Sequence, residues 1–164
     1  MVLTESEHIE DIIRHKELVK NSAILLAKRL IKKNKKNAKL ARELIIRGYS
    51  HDNSKLVDEL EWCTLHTGNE SNPLLDSGIK HHQLINRHHP EFHGGLENMD
   101  QLSIAEMCCD WLSRSSEFGT SLKTWVETDA VKKYDINIKS KQYKWILEFV
   151  DLLTQDYFVR AKTA

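Results

Sequence analysis

Apolar residues recur along most of the chain at intervals of three and four, the period of a helix with one buried face. The first stripe, Ile12, Val19, Leu26 and Leu30, predicts a helix that opens at a capping box of Thr4 and Glu7 and runs to about Lys33. His15 sits in that stripe, three residues after Ile12 and four before Val19, so it is expected to point inward. A second helix is predicted over roughly Asn37–Arg47, stopping near Gly48, and a third from Asn53 or Ser54 carrying Leu56, Leu60 and Trp62. The stretch HTGNESNP reads as a loop, with Asn72 as a cap and Pro73 at the first position of the next helix. That helix, about Leu74–His88, aligns Leu75, Ile79, His82, Asn86 and His89, with His81, Leu84, Ile85 and His88 on the neighbouring face.

Downstream, Ser103 and Glu106 form a second capping box for a helix to about Phe118. Two more helices are expected near Ser121–Lys133 and Ser140–Arg160, the last with Ile146, Leu147, Val150, Leu153 and Tyr157 at core spacing. No alternating stretch is long enough for a strand, and neither a repeat nor a domain boundary is visible. The expectation is an all-α single domain of about six to seven helices.

Composition narrows the functional classes. At 164 residues the chain can bury a proper core without disulfides or a structural metal. Its formal net charge is zero, so no strong field draws it to nucleic acid or an anionic membrane. The basic run Lys32–Lys39 reads as a solvated turn between helices. Three cysteines, Cys63, Cys108 and Cys109, show no CxxC spacing and point to a reducing cytoplasm. The opening MVLTESEHIED lacks an apolar signal-peptide core, and no apolar run reaches the roughly 20 residues of a membrane span.

Two stretches carry the candidate chemistry: HDNSKL, His51–Leu56, and KHHQLINRHHP, Lys80–Pro90. Taken singly, each residue has a plain structural explanation. His15 would serve as a satisfied core histidine, Asp52 as a helix cap, and Asp110 as a salt-bridge partner of Arg114. His88 and His89 would end a helix and favour its dipole. Taken together, imidazoles and carboxylates from several helices could converge on a divalent cation such as manganese, iron, cobalt, zinc or magnesium.

The order H…HD…D resembles the HD superfamily of metal-dependent phosphohydrolases, over roughly Glu10 to Phe118. The three blocks HD-x-SK, HH-x3-N-x-HHP and EM-x2-DW are similar to those of a small HD-like family of bacteria and phages. This resemblance implies an HD-like helical fold with His15, His51, Asp52 and Asp110 as metal ligands. Extra histidines in HD proteins imply a second metal. For that ion His82 and His89 are the expected pair, seven apart on one helix face, with Asp52 bridging the two metals. His81 and His88 are the alternative pair, rotated by about 100 degrees.

Two such ions could share a hydroxide and clamp phosphate oxygens. Asp52 and Lys55 are then the catalytic candidates, although Lys55 reads equally as a solvated lysine near a helix start. Asn86 and Arg87 are weaker candidates for phosphate contacts, and Glu106 for orienting a ligand. Trp111, Trp62 and Phe92 would stack on a base or belong to the core. The expected activity is hydrolysis of a phosphate ester, a nucleotide before others, as a 5'-nucleotidase-like monoesterase or a phosphodiesterase. The alternatives are an HD-type di-iron oxygenase and a non-catalytic, metal-stabilised binding protein. A homodimer stays open as an assembly. His8, His66 and His93 are expected to tolerate alanine better than His15 or His51.

Overall fold

Helix α1, Glu5–Lys33, begins as expected: the Thr4 hydroxyl accepts the Glu7 amide while the Glu7 carboxylate accepts the Thr4 amide. A short 3₁₀ turn, Lys35–Asn37, leads into α2, Ala38–Ser50. A Cβ built on Gly48 would stand 2.7 Å from the Ala23 Cβ, so α2 runs back along α1 with the backbones close. This computed structural model describes residues 4–65 and 74–155, and among them there are helices and turns but no strand. The chain is all-α. Asn72, Pro73, His66 and Tyr157 lie outside the described residues.

The expected third helix is two. Helix α3, Ser54–Val57, stops at an extended Asp58, whose Oδ1 accepts the Glu61 amide at 3.0 Å and starts α4, Glu59–Leu65. Aspartate favours this capping role over a helix interior. Helix α5, Leu75–Ile85, is shorter than periodicity predicts. Asn86 turns extended and its side-chain amide donates to the His82 carbonyl at 2.9 Å. Pro90 then holds His89 extended as well and opens a 3₁₀ turn, Pro90–His93. His88 and His89 therefore stand on a turn rather than on a helix.

Helix α6, Gln101–Phe118, is buried on most of its sides and forms the spine of the molecule. Its cap is Asp100, which accepts the Ser103 amide at 2.8 Å; the proposed Ser103–Glu106 box does not form. Ser103 is instead the third residue of the first turn, and Glu106 is drawn into the interior. Gly119, with φ of 66°, closes the helix in the left-handed region that glycine adopts at no steric cost. Helix α7, Leu122–Trp125, passes through one wide π turn, Val126–Ala130, into α8, Val131–Lys133. Helix α9, Lys141–Thr154, is capped by Ser140.

The core draws Val19, Leu26 and Leu30 from α1, Leu44 from α2, Ile104, Met107 and Cys108 from α6, and Ile146, Phe149 and Val150 from α9. Each large side chain so buried contributes about 1.5–3 kcal/mol relative to exposure. This apolar half fixes α1, α2 and α6 against one another. The polar half of the same interface holds the histidines.

A candidate metal centre at the head of the bundle

His15, one turn before the apolar stripe of α1 resumes at Val19, is buried and places Nε2 3.0 Å from Asp110 Oδ1 of α6. Its Nδ1 lies 3.4 Å from Glu117. His51 and Asp52 occupy the turn between α2 and α3, both buried. Asp52 has a φ of 51°, a left-handed conformation that costs a non-glycine residue free energy and clusters at functional sites. The Lys16 ammonium binds the residues on either side of it, through the His51 carbonyl and the Asn53 side chain. The strained turn aims the carboxylate inward.

Asp52 is the hub of the site. Its Oδ1 lies 3.3 Å from His82 Nε2, 3.5 Å from His88 Nε2 and 3.6 Å from His51 Nε2. Its Oδ2 meets the Lys55 ammonium at 2.6 Å. His88 Nε2 is 4.0 Å from Asp110 Oδ2, and the His88 and His89 rings are 4.1 Å apart between centroids. Outer carboxylates orient the rings: Glu106 Oε1 faces His51 Nδ1 at 3.0 Å, and Glu61 Oε2 faces His82 Nδ1 at 2.8 Å. With Nδ1 so engaged, each ring turns Nε2 toward the centre, the arrangement by which metal-binding histidines are fixed.

The inner atoms face one another but are poorly satisfied. Nε2 of His15, His51, His88 and His89, with Oδ1 of Asp52 and Asp110, are buried and make no well-aligned hydrogen bond. Buried polar atoms left this way are costly, and a cation would satisfy them together. Donor atoms of His15, His51 and Asp52 all lie within 4.8 Å of one another, as do those of His51, His88 and Asp110, and those of His82, His88 and His89. The donor set of imidazoles and carboxylates fits first-row divalent ions.

Electrostatics agree with this geometry. Burial acts to raise the Asp52 and Asp110 carboxyls, but neighbouring histidines, with Lys55 at Asp52, outweigh it and hold both well below the usual range. Burial lowers His88 well below its ordinary value and takes His89 to about 4. His51 moves the other way: burial opposes its charge, but Asp52 and Glu106 prevail and raise it.

A cleft opens on the centre in two adjoining lobes that share Gln83, His89, Asp110 and Arg114 as walls. One lobe, about 460 Å³, has His15, Asp52, Lys55 and His82 in its lining, with His8 and Asp11. The other, about 330 Å³, is lined by Trp111, Trp125, Tyr134 and Phe118, with Lys133 at its edge.

The helix ending at Ile85 revises the histidine pairs. His82 and His89 do not share a helix face, yet the turn returns His89 to His82, with ring centroids 4.9 Å apart. His88 joins the same group, so the structure brings His82 and His89 together by a turn rather than a helix face and adds His88 from the alternative pair. His81 points away, its Nε2 3.1 Å from Asp58 Oδ2. Asn86 braces the site through Ser54 and His82 and does not line the cleft. Arg87 lies over the Phe92 ring, 5.3 Å from its centroid, and neither lines the cleft. Arg114 pairs with Glu117 at 3.0 Å in place of Asp110. His8 is buried and lines the cleft, next to the Trp62 ring, while His93 stands apart beside the Arg87 carbonyl. Glu61 and Glu117 escaped notice, because glutamate on a helix is ordinarily a solvated residue and only the fold shows them facing histidines.

The fold and site together define an all-helical domain with a buried histidine–carboxylate centre at the floor of a cleft. The chain belongs to the family described as "Family of unknown function (DUF5662)", whose sequence profile matches residues 4–152 and so takes in every residue of the centre. No curated protein and no solved structure matches the chain.

Proposed function

We propose that the protein is a divalent-metal-dependent phosphohydrolase of the HD type, acting on a phosphate ester of a nucleotide. The observation that carries this reading is the set of orphaned Nε2 and Oδ1 atoms converging beside Lys55 at the floor of an open cleft. His15, His51, Asp52 and Asp110 would hold one ion, and His82, His88 and His89 a second, with Asp52 between them. Divalent ions held there would lower the pKa of coordinated water and draw charge from phosphate oxygens.

The chain's own side chains supply the rest. Lys55, drawn in by Asp52 Oδ2, places an ammonium where a phosphate oxygen enters. Arg114 borders both lobes and offers a guanidinium at the join. The lobe of Trp111, Trp125, Tyr134 and Phe118 suits the base and sugar, and its volume of about 330 Å³ is the size of one small ligand. That size favours a mononucleotide over a longer chain.

The test is metal analysis of the purified protein, then phosphate release from a nucleotide panel in manganese, iron, cobalt, zinc or magnesium. Asp52→Ala should lose bound metal and roughly a thousandfold in turnover, the scale of several kcal/mol of charge stabilisation. Parental turnover in that variant would defeat the proposal. Oxygen consumption by the iron form without phosphate release would transfer the site to the oxygenase reading.

A further inference from the structure

The two carboxylates that orient the histidines are not alike. Glu106 gives Oε1 to His51, and its Oε2 is matched by the Arg47 guanidinium at 2.9 Å. Glu61 gives Oε2 to His82 and accepts the Ser54 hydroxyl there at 3.0 Å. Its Oε1 has no partner, although the residue is fully buried. No lysine or arginine among the described residues pairs with it. The counterpart of Arg47 is missing on this side.

What stands nearby is a second group of donors. Asp58, Glu61 and His81 each offer an atom, all within 4.8 Å of one another. Asp58 Oδ1 is taken by the Glu61 amide, which leaves Oδ2 and the His81 ring nitrogen, 3.1 Å apart, as the atoms these two residues can offer. Their side chains are about one-third exposed, so an ion could reach them from solvent: 30% for Asp58 and 32% for His81. His81 and His82 are neighbours in sequence but project to different groups, which gives the first histidine pair a use for both rings.

We infer that Asp58, Glu61 and His81 form a further divalent-cation site, separate from the cleft centre and joined to it through the Glu61 carboxylate. Two carboxylates and one imidazole suit manganese or zinc, with water completing the shell. The cation does for Glu61 what Arg47 does for Glu106: it neutralises the outer oxygen and locks the carboxylate that orients His82. Occupancy here therefore stiffens His82 without touching substrate, and His81 and Asp58 are positioning residues for the centre.

The experiment is ion counting. The full-length protein is stripped with chelator, titrated with manganese, and bound ions per chain are measured by free-ion electron paramagnetic resonance. His81→Gln and Asp58→Asn should each bind one ion fewer than the parent, and Asp52→Ala should retain the ion that those two lose. Asparagine preserves the cap on Glu61, so Asp58→Asn keeps its fold, and circular dichroism of all three variants checks this. His81→Gln with Asp58→Asn should bind no fewer ions than either alone, because both empty the same site. Equal counts in parent, His81→Gln and Asp58→Asn overturn the inference. The comparison does not involve turnover, so a failed hydrolase assay leaves it intact, and an unchanged count leaves the hydrolase reading intact.

Discussion

Burial, helped by the neighbouring His82, holds the His89 imidazole down to about 4, so the folded protein keeps this ring neutral and able to bind a cation at physiological pH. An unfolded chain would protonate the same ring near its ordinary 6.5. Between those values the unfolded state binds more protons, and stability falls as pH falls through that window. His51 is raised, so its influence lies above 6.5 and leaves the acid window to the lowered histidines. In metal-free protein, His89→Gln should flatten the decline of melting temperature between about pH 6.5 and 4, which differential scanning calorimetry resolves. Parallel curves for parent and variant would show that His89 is protonated in the fold as readily as out of it. His88 should add to the same slope, being lowered by burial as well.

The contact between α1 and α2 is set by small residues, and a Cβ on Gly48 would meet Ala23 at 2.7 Å and the Lys20 backbone at 3.3 Å. Alanine normally gains about 1 kcal/mol over glycine within a helix. Here neither neighbour is a flexible side chain that can swing aside, so overpacking of about 1–3 kcal/mol should win. Gly48→Ala is expected to lower the chemical-denaturation midpoint, and adding Ala23→Gly should recover part of the loss despite that residue's own cost. A stabilised single variant would mean that the helices can separate freely. Elements of this kind were legible because their signals are local: the Thr4–Glu7 box and the apolar stripes of α1 and α9 depend on residues within a turn or two of one another. The breaks at Asp58 and Asn86 were not legible in the same way. Both residues leave the helix to make side-chain bonds, one to a backbone amide and one to Ser54 and the His82 carbonyl, which periodicity does not register. Losing three residues from the end of α5 changed which histidines meet, so the error in an element became an error in the site.

The centre joins parts of the chain that are far apart in sequence: α1 through His15, the α2–α3 turn through His51 and Asp52, α5 through His82, the following turn through His88 and His89, and α6 through Asp110. That His15 faces inward followed from its place among apolar neighbours, and the HD pair and Asp110 from their motif. Their meeting depends on α1 packing against both α2 and α6, which no local pattern encodes. On the proposed reading the same connectivity would make metal a fold-stabilising ligand, because an ion that binds only the assembled centre favours the folded state in proportion to occupancy. At a hundredfold excess over the dissociation constant the gain is about 2.7 kcal/mol. For a chain of this size that corresponds to a rise in melting temperature of roughly 5–10 °C. The rise should grow with the logarithm of metal concentration, persist in Lys55→Ala, and shrink in Asp52→Ala, which removes the carboxylate proposed to lie between the two ions. A melting temperature indifferent to chelator and to added manganese would mean that the six orphaned inner atoms are content without a cation, and the hydrolase reading would fall with them.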